Sequence, residues 1–309
     1  IINLKFLKYK FNRFLTKAII PERSINVKKV KITADSTCDL PKDIIEKYSI
    51  SIIPLYVNLG DKSYHDRIDI SPDIIFNYYE ETHKLAATSA INIIDYTNLF
   101  NEFLIENQEV IHISLSSEIS CCYQNAHLAA SELENVYVFD SKNLSSGSGH
   151  LVLLAADLAE KGLSAKEIYD ELTRARDLVD SSFVIDTLEY LHKGGRCSAL
   201  AVLGANILNL KPCIEVKDGK MGVAKKYRGK MSQLLLQYTD DRLADLDNIE
   251  SKRIFITYTK IDDKILDKIR KKIESLNKFD EIIMSVAGSA ITCHCGPGTL
   301  GILTMRKSI

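Results

Sequence analysis

Close to the C-terminal end, three residues join ligand chemistry to a tight backbone: Cys293, His294 and Cys295 run straight into Gly296, Pro297 and Gly298. Two thiols and an imidazole belong to the donor set of zinc. On an extended segment, however, neighbours point alternately to opposite sides, and no CxxC pair stands elsewhere to complete a tetrahedron. Metal binding is not expected. Gly296 to Gly301 also spells GxGxxG, a pattern that needs a following helix, a second strand and an acid about twenty residues on. Eight residues follow Gly301, and GxxxxGK does not occur, so a nucleotide cofactor is not expected either. His294 is left beside a glycine turn, where backbone comes close to something.

Hydroxyls are the other resource. Thr88-Ser89, Ser114 with Ser116-Ser117, and Ser120 fall at loop positions. The later group directly follows the strand-like "EVIHISL" and precedes a helix. In a parallel sheet that is where ligands bind, and a helix start offers free N–H groups to an anion. The plainer role for Ser120 is a helix cap worth about 1 kcal/mol. Asp35-Ser36 repeats the placement after the first strand, which favours a site. G-x-S-x-G is absent, so a nucleophile elbow is not indicated.

These residues need elements to hold them. From Val30 the chain alternates: strand "VKITAD", helix "PKDIIEKY", strand "ISIIPLYVNL", a turn or hairpin at "GDKSYHD", and a helix opening at "SPD". A helix over 93–107 turns Ile94, Leu99, Phe103 and Leu104 to one side. Then come "EVIHISL", a helix over 122–134, "NVYVFD" and a helix over 150–161. Strands separated by helices imply parallel pairing in an α/β layer. The second half differs. "SFVID" and the short helix of "TLEYLHKGGR" precede a hairpin turning at Asp218-Gly219. A helix from Met231 to Leu246, strand "RIFITYT", a helix over 262–276, and strands "DEIIMSV" and "LGILTMR" follow. The expected fold class is α/β with two domains. An N-terminal three-layer parallel-sheet domain spans 30–175, and a C-terminal two-layer α/β domain with a mixed sheet spans 176–309. A helix over 164–180 divides them.

Composition narrows the function. The 309 residues are 46% hydrophobic and 26% charged, as in ordinary globular domains. Net charge is −1, but residues 1–29 hold eight Lys/Arg against Glu22, a net +7, so the body carries −8. That argues against nucleic acid as a partner. Seven irregularly spaced cysteines read as reduced thiols, hence a cytoplasmic protein. No apolar run approaches the ~18 residues of a membrane span. In 1–29, Leu4, Leu7, Phe11, Phe14 and Ala18 recur at helical spacing among the cations. That basic amphipathic pattern suits peripheral contact with an anionic membrane, although the plainer reading is a solvated or packed face.

Six segments stand in order: "ADSTCDLP", "ATSAI", "LSSEISCCYQNA", "VIDTLEYLHKGGR", "NILNLKPCI" and "HCGPGTLG". Their content and spacing resemble the DegV family, the fatty-acid-binding subunits of bacterial fatty acid kinase, over residues 30–309. The resemblance implies a non-catalytic carrier. A long-chain fatty acid lies in a tunnel between the domains, and its carboxylate is presented to the ATP-binding kinase subunit for conversion to an acyl phosphate. It assigns fatty-acid binding to Thr88, Ser89, Ser117, Ser120, His294 and Gly296, with Ser116 in the same loop. Arg196, after Gly194 and Gly195, and Arg228 would meet the kinase or its phosphates. No cofactor beyond the bound acid is implied. Energetically, hydroxyls and an imidazolium each give a buried carboxylate about 1.5–3 kcal/mol. The tail adds about 0.8 kcal/mol per methylene, on the order of 10 kcal/mol for about fourteen, before ordering costs of about half that or more. Cys121 and Cys122 stand where many relatives have Gly-Thr, and "ATSAI" lacks the usual Gln-Pro; both bear on ligand choice. The competing functions are a hydrolase using Ser120 and His294, for which no motif supplies an orienting carboxylate, and a lipid-responsive regulatory sensor.

Overall fold

The computed structural model describes residues 30–106, 109–197 and 210–308. The basic segment 1–29 and the start of "NILNLKPCI" lie outside them.

The first sheet holds β1 (Val30–Asp35), β2 (Ser51–Ile53), β6 (Glu109–Ser114) and β7 (Val136–Asp140) in the order β2-β1-β6-β7, all parallel. Every residue of β6 is buried, as a strand covered on both faces requires. Alternate residues serve two cores. Val110 and Val138 face α3 (Ile93–Glu106) and α4 (Cys122–Ala130), while Ile111, Ile113 and Phe139 face α5 (Ser146–Glu160) and α6 (Ala165–Ala175). That is the three-layer arrangement. In α3 the buried side runs through Tyr96 and Phe100, with Leu99, Phe103 and Leu104 packed partly beside them. Ile94 instead lies outward, 71% exposed, one position off the face expected for it.

The second sheet is mixed. It runs β11-β10-β9-β14-β12-β13, built from β9 (Ser182–Val184), β10 (Leu210–Lys217), β11 (Lys220–Arg228), β12 (Arg253–Tyr258), β13 (Glu281–Val286) and β14 (Leu300–Met305). Only β12 and β13 pair in parallel among the described pairings of this sheet, and β8 (Val179–Asp180) adds to β14. The helices α8 (Met231–Arg242) and α9 (Asp263–Glu274) cover one face over Leu234, Tyr238, Ile254, Ile256 and Ile269. The other face meets α5, which is buried along nearly its whole length. Helix α5 is thus clasped between two sheets, which explains its apolar circumference. Gly149 permits the approach: a Cβ there would sit 2.8 Å from the Cys38 carbonyl oxygen.

A small antiparallel sheet, β4-β3-β5, completes the frame with β3 (Tyr56–Leu59), β4 (Lys62–His65) and β5 (Ala87–Ser89). Pro54 and Leu55 break "ISIIPLYVNL" into β2 and β3, so one expected strand serves two sheets. Three short helices finish the described chain: α1 (Lys42–Lys47), α2 (Pro72–Thr82) and α7 (Glu189–Lys193), before the last helix, α10 (Ser289–Cys295). Helix boundaries also moved. The divider ends at Ala175 and tightens into a 3-10 turn over Arg176–Leu178, α4 stops at Ala130, and α8 stops at Arg242. The hairpin turn holds Asp218 at φ 52 and Gly219 at φ 83, the geometry that two-residue loops favour.

Candidate functional site

His294 does not lie on an extended segment. It occupies the last turn of α10, where successive side chains diverge by about 100° around the axis, so Cys293, His294 and Cys295 point three ways for a helical reason. Among the described residues no group of three or more His, Cys, Asp or Glu could hold a metal. None of the seven cysteines forms a disulfide.

Helix α10 ends at Gly296, φ 70, and a Cβ there would lie 2.6 Å from the Tyr190 ring. The close backbone approach at this glycine is to an aromatic side chain, and Gly296 is not among the cavity walls. Gly194 plays the matching part for the imidazole, since a Cβ on it would fall 2.4 Å from His294 Nδ1. The Gly-Gly-Arg turn after α7 thereby lets His294 sit flat against backbone.

The His294 ring faces a partly open cavity holding about 550 Å³ of space between atoms, its open mouth included. Polar residues gather at one end: Thr88 and Ser89 from β5, Ser120 from the β6–α4 loop, Thr37 from the turn after β1, and Arg196. Apolar walls come from Leu55, Leu115, Leu191, Met221 and Ile291. A second cavity, about 410 Å³ with its open mouth included, lies between Leu144 and Ser145, just before α5, and the second sheet; Leu144, Ile291 and Cys295 line both cavities.

His294 Nε2 and Thr88 Oγ1 are 2.8 Å apart. Nδ1 is buried with no hydrogen-bond partner, and so is Thr37 Oγ1. Burial, with the Arg196 guanidinium adding to it, pulls the imidazole down to about 4. That environment favours the neutral ring at pH 7, and the imidazolium expected from sequence requires an anion to arrive with it. Arg196 lines the cavity near the ring, exposed, and its Nη1 donates to the Gly194 carbonyl at 2.6 Å.

The serine loop divides. Ser120 lines the cavity, while its hydroxyl accepts from Cys122 N–H and donates to Cys122 Sγ, both at 3.2 Å. The N-cap position itself falls to Cys121, so Ser120 braces the first turn of α4 from one residue further back than the cap expected of it. Ser117 turns away, donating to Asp140 Oδ2 at 2.6 Å, and Ser116 donates to the Gly219 carbonyl at 2.8 Å, pinning the hairpin tip over the loop. Cys121 is exposed and Cys122 buried, its thiol pushed up to about 12 by burial. Arg228 is exposed at the end of β11, away from these walls. The structure thus brings together Thr88, Ser89, Ser120, His294 and Arg196, and leaves Ser117, Gly296 and Arg228 outside the wall. Thr37 was not singled out from sequence. Its signal was position, since it follows β1 as the serine loop follows β6.

Beneath the loop lies a second histidine site. Asp35, at the end of β1, accepts from Tyr96 OH at 2.6 Å, Ser114 Oγ at 2.8 Å and Leu115 N–H at 2.7 Å, and stands 3.2 Å from His112 Nε2. His112 Nδ1 lies 3.0 Å from Thr33 Oγ1. Burial alone would raise the Asp35 carboxyl. The His112 imidazole and the donated hydrogen bonds outweigh it and hold the group below its ordinary value.

Two sheets clasping a helix, with two neighbouring cavities of mainly apolar surface and hydroxyls in the wall of the first, define an α/β protein built around a ligand-sized space. The chain belongs to the DegV family, whose model, described as one of uncharacterised proteins, matches residues 29–307. A DegV domain-containing protein of Clostridium acetobutylicum is 35% identical over 286 residues, covering 91% of this chain and all of that protein. Among solved structures, a Thermus thermophilus DegV family protein described as binding fatty acid superposes with a TM-score of 0.82 at 30% identity, covering 90% of this chain and 100% of that one. A stearic-acid-binding protein from Eubacterium ventriosum gives 0.78 at 26% identity, covering 91% and 98%. Among the described residues no helix is long and apolar enough to cross a membrane.

Proposed function

We propose that this chain is a cytoplasmic carrier that binds a long-chain fatty acid and presents its carboxylate to the ATP-binding subunit of a fatty acid kinase, performing no chemistry itself. The acyl chain runs from the first cavity past Leu144, Ile291 and Cys295 into the second, between domains spanning 30–175 and 176–309. Thr88, Ser89, Ser120 and Thr37 donate hydroxyls to the carboxylate. His294 takes up a proton as the anion enters, and Arg196 faces the mouth, where a phosphoryl group would arrive. Arg228 is the further contact for the kinase, and the basic segment 1–29 draws the carrier to anionic lipid. Ser117 and Gly296 serve the site by shaping the loop and the end of α10.

The observation that carries this reading is a pair of neighbouring apolar cavities that share Leu144, Ile291 and Cys295, the first lined also by hydroxyls and a half-unpartnered imidazole. A hydrolase would need a carboxylate on His294 Nδ1, where Gly194 lies instead. Native mass spectrometry of protein purified from bacteria tests the lipid: a retained long-chain fatty acid is expected, and an empty protein that takes up none defeats the proposal. Incubation with fatty acid, ATP and Mg²⁺ tests the division of labour. Acyl phosphate should form only when the kinase subunit is added.

A further inference from the structure

Helix α10 delivers His294, yet its first turn is held by the other half of the sequence. Asp39, in the turn after β1, accepts from Gly288 N–H at 2.7 Å. Asp66, just after β4, accepts from Ala290 N–H at 3.2 Å. Both carboxylates are fully buried. Arg67 joins them: Nη2 donates to Asp39 Oδ1 at 2.9 Å and to the Val286 carbonyl at 3.2 Å, and Nη1 donates to the Leu40 carbonyl at 3.0 Å. The remaining oxygens are also engaged, Asp66 Oδ2 by Ser36 Oγ at 2.7 Å and Asp39 Oδ2 by Ser145 Oγ at 2.5 Å. A Cβ on Gly288 would lie 2.9 Å from Arg67 Nε and 3.2 Å from each carboxylate, so the cluster closes on bare backbone.

A helix of seven residues forms few internal hydrogen bonds and does not hold its own position. Its free N–H groups and the positive end of its dipole meet two carboxylates. His294 sits roughly 7.5 Å further along the axis, at 1.5 Å per residue, in the turn that meets Thr88. We propose that Asp39 and Asp66 are positioning residues for His294: by fixing the height and rotation of α10 against the small sheet, they set where the imidazole meets the ligand carboxylate. This rests on the fatty-acid reading above. It differs from a purely structural role because it predicts an effect on one end of the ligand only.

The test uses the full chain, with hexadecanoic acid and its methyl ester as probes. Asp66→Ala should weaken the acid about tenfold, the coupling expected within one network, and leave the ester unchanged. Asp66→Asn keeps the shape and an acceptor for Ala290 N–H; it covers the case in which the alanine variant fails to fold. It should weaken the acid about threefold, again sparing the ester. In a His294→Ala background neither change should weaken the acid further. Equal losses for acid and ester, no loss for the acid in the asparagine variant, or full additivity with His294→Ala would overturn the proposal while leaving the lipid reading intact. If His294→Ala alone spares acid binding, both the proposal and the carboxylate assignment beneath it are overturned.

Discussion

Two histidines in this protein sit in opposite circumstances. His112 has a carboxylate at 3.2 Å and a hydroxyl at its other nitrogen, and is wholly enclosed. His294 has a cavity before it, a hydroxyl on one nitrogen, nothing on the other, and no carboxylate. Each ring keeps one nitrogen without a hydrogen bond, Nε2 of His112 and Nδ1 of His294; His112 has a carboxylate beside that nitrogen inside a closed core, whereas His294 has none and its ring borders a cavity. Catalytic motifs are sought as His-carboxylate pairs, and here the pair lies where no substrate reaches. The histidine without a carboxylate is the one that faces the cavity.

The comparison breaks most visibly in stability. Asp35→Ala strands His112, the Tyr96 hydroxyl, the Ser114 hydroxyl and the Leu115 N–H, and should cost about 3–5 kcal/mol in denaturant unfolding. His294→Ala removes a group with an unmet nitrogen and should change stability far less. A similar cost for both would show that His294 is structural.

Acid separates the two regions again. His294 and the buried His150 are held down to about 4, so the unfolded chain binds protons that the folded one refuses between pH 6.5 and pH 4. The stability present above pH 6.5 should fall across that window, by about 3 kcal/mol for His150 and less for half-buried His294. Asp35, held below its ordinary value, keeps its contribution until the pH drops beneath the usual carboxylate range. Thermal melts of wild type and His150→Gln from pH 7 to pH 4 check the first part, since the variant should show a shallower decline.

Ligand binding sharpens the contrast from the other side. His294→Ala should weaken a fatty acid by about 1.5–3 kcal/mol, the worth of a hydrogen bond to a charged group. Because the ring must gain a proton when the anion binds, wild-type affinity should rise as the pH falls from 7.5 toward 6, and the variant should lose that slope. Calorimetry in buffers of different ionisation enthalpy would register the proton directly.

The smallest effects test the serine loop. Ser120→Ala should reduce lipid affinity by about 1 kcal/mol, whereas Ser117→Ala should cost about 1 kcal/mol of stability through Asp140 with lipid affinity nearly unchanged. The reverse pattern would reassign the two serines.

How far the sequence announced all this depended on where each constraint originates. Strands buried on both faces, such as "EVIHIS", and helices with strong apolar faces, such as Ala165–Ala175, carry their signal locally. Helix α10 does not. "SAITCHC" is short, contains β-branched Ile291 and Thr292, and lies between glycines; its helical state comes from Asp39 and Asp66, more than two hundred residues away. The start of α5 was hidden by "SGSG", where glycine permits contact with the Cys38 carbonyl. Within the site, the ordered motifs indicated Thr88, Ser120 and His294. Three serines in one loop look alike until Asp140 takes Ser117 and Gly219 takes Ser116.

The position of β14 has a consequence for how the chain reaches this state. Residues 300–305 do not add to an edge of the second sheet; they enter its interior, between β9 and β12, whose partners lie far back in the sequence. Such a strand cannot pair until its neighbours have come together around a gap, so long loops must close before their contacts reward them. Folding of this sheet should be slow and late, and a fragment ending before Leu300 would hold two sets of unpaired strand edges facing each other. Until β14 inserts, α5 lacks one wall, and the second cavity, which Gly301 and Leu303 help to line, has not yet formed.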